Sequence, residues 1–329
     1  MNSHYQAMQI PFPVEQYFVK GQHRVRFLQN FCTNDVARLS SNAGVEVFFP
    51  NVKGRIVGHG WIHALEDSLV MTIGAGTGTS LLPHLDRYII TEDVTFTKAA
   101  LKESWLVAGE TANGLWAKLS QQQQRDLVAE PAHQMIAGAG WRAAFITGWS
   151  VPVVSVFIDE HAAAEELTDL VLLSSIKQGT PHDFDRFRAT VGMGWMGIDY
   201  SDAQLAQESG RTAVAISFHK GCYLGQEPIA RLDAMGHTNK ELVRLSSEVS
   251  LSDQDKNSWA GAELFADSEP KSVGVITTFC PHDDRQGGVG LGYVRTKWQV
   301  ENQRLHVGTP EGPTLTVHVP LIPADEQIR

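Results

Sequence analysis

Lys220-Gly221-Cys222-Tyr223-Leu224-Gly225-Gln226-Glu227 places one of only three cysteines at a turn, between two glycines and just ahead of a predicted helix. Residues 213–218 read as a strand and 219–221 as the turn. The helix is expected to begin near Gly225, so Pro228 falls in its first turn, where a missing N–H removes no bond. Glu227 then faces the positive end of the helix. Lys220, His219 and Arg231 are the nearby cations, and each favours thiolate over thiol. An isolated cysteine is usually a small buried apolar residue. Here the paired glycines, the lysine and the helix start favour a working thiol instead. On that reading Cys222 is the reactive group and Lys220 its activator. Gly221 and Gly225 shape the turn, while Gln226 and Glu227 fix the helix start or line a pocket.

Upstream of the octapeptide, residues 45–49, 55–64 and 68–73 are apolar or alternating runs rich in β-branched and aromatic residues, and they read as strands. Leucines at helical spacing follow in 80–90, then a strand at 94–97. A similar order returns: a strand at 105–108, a helix at 111–119, strands at 141–147 and 153–158, and a helix capped by Asp159 and running to about residue 172. Two β-rich units that each carry helices predict an internally duplicated α+β domain over residues 1–237. After His237 the character changes. Residues 241–247, 263–265, 272–278, 290–295, 304–307 and 314–319 are short strand-like runs separated by Gly, Pro, Asp and Asn, which predicts a small β-barrel or sandwich over 238–329.

A chain of 329 residues with 43% hydrophobic and 19% charged residues can bury a sizeable core, and its length suits more than one folding unit. The net charge of −10 argues against broad nucleic-acid binding, so no direct nucleic-acid partner is expected. Cys32, Cys222 and Cys280 lie far apart with no Cys-x-x-Cys pair, a pattern of reduced thiols rather than of a disulfide framework or a zinc site. No leader-like run and no membrane-length apolar window is present, which predicts a cytoplasmic protein with no membrane partner.

Two further motifs compete for a functional reading. Gly74-Ala75-Gly76-Thr77-Gly78-Thr79 sits between a strand and a helix, where free N–H groups could cradle a phosphate. It lacks both the G-x-G-x-x-G spacing and a P-loop lysine, so a flexible turn is the better expectation. In Gly58-His59-Gly60-Trp61-Ile62-His63, residues 59, 61 and 63 share one face of a strand. Spacing supplies no third metal ligand, which favours a partly buried polar face or one wall of a ligand pocket.

The octapeptide resembles the K-G-C-aromatic-x-G-Q-E signature of the YgfZ family, folate-binding proteins related to the glycine-cleavage T-protein and implicated in iron–sulfur cluster assembly or repair. Tyr223 fills the aromatic position. Phe27-Leu28-Gln29 with Thr33-Asn34-Asp35-Val36 is similar to the family's F-L-Q-G-x-x-T-N-D-V, with Asn30 in place of glycine. Lys53-Gly54-Arg55 matches its K-G-R turn, and Tyr88 with Asp93-Val94 its Y-x-I-x-x-D-V pattern. Gly197-Ile198-Asp199, Gln207-Glu208 and Val273-Gly274-Val275 follow in the family's order.

The resemblance implies three lobes in a ring, two α+β lobes of the folate-binding portion and a C-terminal β-barrel. It implies tetrahydrofolate or a derivative as ligand, with Asn51, Lys53, His59, Tyr88, Arg188 and Thr190 as pocket residues. It also implies Cys222 as a transient iron–sulfur ligand, with the assembly machinery or client enzymes as partners. The signature residues carried over are Lys220, Gly221, Cys222, Tyr223, Gly225, Gln226, Glu227 and Arg231. Two positions depart from the pattern. The T-protein's adjacent aspartates, one of which assists aminomethyl transfer, correspond to Gly58 and His59. The glutamate that anchors the pterin ring corresponds to Thr190, which cannot make a bidentate charge-assisted contact. The expected function is therefore iron–sulfur cluster assembly or maintenance through Cys222, with a tetrahydrofolate-dependent aminomethyltransferase as the alternative.

Overall fold

The computed structural model describes residues 8–122, 133–160, 176–248, 259–267, 269–282 and 286–321. The apolar runs form two sheets. The first has five strands in the order β3 (Gly44–Pro50), β4 (Ile56–Ala64), β5 (Leu69–Gly74), β2 (Val14–Lys20), β6 (Thr95–Lys98). The second runs β8 (Gln134–Gly138), β9 (Trp141–Ile146), β10 (Val153–Ile158), β7 (Glu103–Ala108), β1 (Met8–Pro11), β11 (Lys177–Gln178). Aligning β2 to β6 with β7 to β11 gives one strand order in both, apart from β1, which is inserted between β7 and β11. The duplication expected from the order of elements is thus a duplication of topology.

The sheets face each other across a shared core in which Trp61 of β4 meets Trp149 edge-on at 5.8 Å, with Phe12, Leu106, Ile146 and Phe157 around them. Strands β5, β9 and β10 are buried along their whole lengths, which is why they read as continuous apolar runs rather than alternating ones. Helices cover the outer faces. Helix Glu110–Gln122 lays Leu115, Trp116 and Leu119 on the second sheet, and helices Arg24–Phe31 and Gly78–Asp86 cover the first.

Six short strands close the barrel, in the order β12 (Lys240–Ser247), β15 (Gly288–Arg295), β14 (Glu269–Pro281), β13 (Glu263–Ala266), β16 (Arg304–Val307), β17 (Thr314–His318). Their alternating inward residues, among them Val243, Leu245, Ile276, Leu305 and Val317, make its core. Helix Pro181–Val191 joins the barrel to the sheets. It starts in a capping box of Thr180 and Asp183 with Pro181 in the first turn, and ends at left-handed Gly192. Its buried Arg188 bonds Asp199, Asp185 and Thr278, while the Tyr293 hydroxyl donates to the Asp199 carbonyl.

Two local expectations need correction. Residues 213–218 are not a strand: Thr212–Ala215 is a single helical turn followed by extended chain. Side chains rather than a neighbouring strand hold it, because the Thr33 hydroxyl donates to Ala215 O and the Asn34 amide to Val214 O. The helix expected over 80–90 spans Gly78–Asp86. The helix expected after Asp159 falls on residues 161–175 and lies outside the described residues.

Candidate functional site

Among the three free cysteines, Cys32 and Cys280 are buried and Cys222 is exposed. The turn that presents Cys222 is fastened on both sides. On its N-terminal side the Lys220 ammonium donates to the carbonyls of Gln29 (2.7 Å), Cys32 (2.8 Å) and Asn34 (2.7 Å). These carbonyls close the C-terminal end of helix Arg24–Phe31, where backbone acceptors lack intrahelical donors. The same ammonium lies 4.9 Å from the Tyr223 ring centroid, which accounts for an aromatic residue beside the cysteine. Burial draws the lysine's pKa down against the pull of Cys32 and Asp35, and burial raises the pKa of the Cys32 thiol. The expected activator of Cys222 is thus placed as a clamp, with its three donors committed to backbone.

On the C-terminal side Leu224 N–H donates to Asn30 O, and Tyr223 N–H donates to Gln226 Oε1. Gly225 caps helix Gln226–Met235 with φ +77°, and a Cβ there would lie 2.3 Å from Asn51 O. Only glycine meets both demands. Gly221 has open space where a Cβ would project. Glu227 and Arg231 are exposed on the helix.

The Thr33-Asn34-Asp35-Val36 stretch braces this arrangement. Thr33 Oγ1 accepts from Phe48 N–H, and the Asn34 amide donates to Glu46 O. Gln29 Oε1 accepts from Val36 and Ala37 N–H.

Beneath the turn lies a buried polar network that sequence reasoning passed over. Glu46, on β3, is enclosed by Arg211, whose Nε donates to Oε1 at 2.9 Å and whose Nη2 reaches Oε2. Arg211 Nη1 donates to Gly148 O, tying the second sheet's loop to the first sheet. His59 Nε2 lies 2.9 Å from Glu46 Oε1. Burial pushes the Glu46 carboxyl up, but Arg211 and His59 outweigh it and hold the carboxyl well below the usual range. The available signal was a lone acid in the apolar strand Gly-Val-Glu-Val-Phe-Phe-Pro.

His59, Trp61 and His63 do share a face of β4, but that face is buried. His59 is walled by Phe48 at 4.7 Å, Tyr200 at 5.2 Å and Trp61 at 5.5 Å. His63 packs on Gly44, and among the described residues neither of its ring nitrogens has a hydrogen-bond partner. A Cβ at Gly58 would lie 2.9 Å from Leu81 Cδ2. At the two positions where the sequence departs from the T-protein's aspartates, Gly58 is closely packed and His59 is paired with Glu46.

A cleft of about 590 Å³ opens between the Asn51–Val57 turn, helix Gly78–Asp86 and the segment 196–202. Asn51, His84, Arg87, Tyr88, Tyr200 and Asp202 line it. Of the pocket residues implied by resemblance, it gathers Asn51 and Tyr88. Lys53 is exposed in the adjoining turn, where its N–H donates to Asn51 Oδ1, and His59 lies behind Tyr200. Arg188 lines a separate cleft of about 270 Å³ with Cys280 and is committed to Asp199. The Thr190 hydroxyl donates to Arg186 O within its own helix. These six residues therefore do not form one pocket. The glycine-rich loop is no phosphate cradle, because the N–H of Gly78 at the helix start already donates to the Glu15 carboxylate at 2.6 Å.

No family model matches the sequence. A chloroplast protein of Arabidopsis thaliana, described as a "putative transferase", is 26% identical over 291 residues, covering 84% of this chain. The chain spans 62% of that relative's length. The glycine cleavage system aminomethyltransferase T of Bartonella henselae superposes with a TM-score of 0.76 at 18% identity, covering 97% of this chain and 88% of that one. The fold is that of the T-protein. Among the described residues no helix is long and apolar enough to cross a membrane, and no three His, Cys, Asp or Glu side chains converge as a metal-binding group.

Proposed function

We propose that this T-protein-like chain acts in iron–sulfur cluster assembly or maintenance through the Cys222 thiol, and that it does not catalyse aminomethyl transfer. The observation that carries this is the construction of the turn. Lys220, Gln226 and Gly225 are committed to backbone contacts whose joint effect is to hold one small side chain, Cys222, at the surface. A protein cluster usually takes four thiolates, so one cysteine cannot hold it alone. Cys222 supplies one thiolate, and a partner enzyme or small thiol supplies the others. The cluster is cargo in this reading. It is tested by adding purified protein to an iron–sulfur enzyme being reconstituted with iron and sulfide. Wild type raises the rate of recovery and Cys222→Ser does not; equal stimulation by both proteins removes the thiol from the account.

A second reading is supported by the cleft of about 590 Å³, a size suited to a drug-sized ligand. A reduced folate is the ligand that the family resemblance implies there. Tyr88 would offer a ring contact, and Asp202 a carboxylate for the polar edge of a pterin. Bound folate would supply a one-carbon carrier. A transferase also needs a base at the reacting carbon. His59 is buried against Glu46 behind Tyr200, so folate binding without turnover is the form of this reading that the geometry favours. Calorimetric titration with tetrahydrofolate, repeated on Asp202→Asn, tests it. Absence of binding to the wild type rejects it.

A further inference from the structure

A third cleft, of about 300 Å³, lies where the segment 207–213 meets the C-terminal end of helix Gln226–Met235 and the start of β12. It shares no lining residue with the thiol turn or with the larger cleft. The carboxylates among its lining residues give it an electronegative side. Glu241, Asp233 and His237 line it, and no lysine or arginine is among its lining residues. The helix ending at Gly236 turns its negative end toward it.

Two features mark it as built rather than incidental. Gln207 is 5% exposed; its Nε2 donates to Ile229 O at 2.9 Å, while its Oε1 is buried with no donor among the described residues. That bond fixes the amide's orientation and leaves an acceptor unserved, an arrangement that costs about 1–3 kcal/mol unless a donor arrives. Glu241 is held by the Thr238 hydroxyl at 2.6 Å, yet no cation pairs with it among the described residues. Burial raises its pKa, the Thr238 bond opposes this, and the nearby Glu208 adds to the rise. A half-buried carboxylate beside a second acid and an unserved carbonyl is a site lacking its cation.

We propose that this cleft binds a small organic cation bearing a primary ammonium or guanidinium group, held between the Glu241 carboxylate and the Gln207 amide. A bare metal ion is the poorer occupant. Such ions need several oxygens converging at about 2.0–2.6 Å, and no three metal-type side chains converge here, whereas a group with several N–H donors can serve separated acceptors at once.

Calorimetry with putrescine and agmatine at about 0.15 M salt tests this, with butanediol and magnesium chloride as controls. The expected result is saturable one-to-one binding of an amine, none of butanediol, and affinity weakened about tenfold or more in Glu241→Gln. Affinity in Glu263→Gln, remote on the barrel, is unchanged. The Glu241→Gln variant keeps an acceptor for Thr238 and so keeps the local fold. Asp233→Asn, at the exposed rim, provides a second variant expected to weaken binding severalfold. Lack of saturable binding by both amines overturns the proposal. So does affinity unchanged in both cleft variants, or displacement of the amine by equimolar magnesium, since each marks general attraction to a chain of net charge −10.

Discussion

Replacing His63 by leucine should flatten the acid sensitivity of the fold. His63 is 1% exposed on β4, opposite Gly44 on β3, and both of its ring nitrogens lack partners among the described residues. Burial first, and then the neighbouring His133, draw its pKa from 6.5 down to about 3. His133 itself is drawn down to about 4, chiefly by burial, with Glu46 opposing and Arg211 assisting. Both rings are neutral in the fold and titrate normally when the chain unfolds. Their contribution is therefore intact above about pH 6.5 and is lost as pH falls toward the folded values. The slope is about 1.4 kcal/mol per pH unit for each histidine. At about pH 5, some 1.5 units below the unfolded pKa, each accounts for about 2 kcal/mol of lost stability. Urea unfolding followed by tryptophan fluorescence at about pH 7.5 and pH 5 measures the loss in both proteins. His63→Leu should lose about 2 kcal/mol less than wild type over this interval. It should match or exceed wild type at the higher pH, because two unserved polar atoms leave the core. Identical pH dependence in the two proteins would refute the reasoning.

The other predictions concern the turn and the network beneath it. Arg211→Met leaves the buried Glu46 carboxylate with only His59 beside it and should cost about 3–5 kcal/mol, part of which Glu46→Met in the same chain restores; a double variant no more stable than the single one contradicts this. Gly225→Ala should cost about 2 kcal/mol or more, through its left-handed backbone and the contact with Asn51 O. Gly221→Ala should stay within about 0.5 kcal/mol, so equal thermal midpoints for the pair would contradict the placement. Lys220→Met strips the donor from three carbonyls and should lower stability by about 2–4 kcal/mol, with Lys220→Arg recovering part of it in a thermal melt.

The barrel was legible because each of its strands buries one face, so Val243, Leu245 and their counterparts announce themselves by alternation between turn residues. The duplicated sheets were legible through long apolar strands such as β4 and β10. Strands β1 and β2 and helix Pro181–Val191 were not, because Pro11 and Pro13 read as a break where the two short strands meet, and because buried charges at Arg186 and Arg188 disguise the helix. Arg188 is satisfied in part by Asp199 and by Thr278 of the barrel, 90 residues away, which no local pattern reveals. The same holds at the site. The octapeptide pointed to Cys222, but the roles of Lys220, Thr33 and Asn34 depend on carbonyls up to 191 residues away. Local propensity also lost to tertiary contact at 213–218, where Thr33 and Asn34 take the bonds a strand neighbour would have made.

Cys222 is either a working thiol or a turn filler, and the proposed function requires the first. In cells lacking the protein, activity of an iron–sulfur enzyme in extracts, measured against its protein level, tests this most directly when wild type or Cys222→Ser is returned. The exposed position predicts an unchanged thermal midpoint for the variant together with loss of the restored activity. Restoration by Cys222→Ser equal to that by wild type contradicts the account.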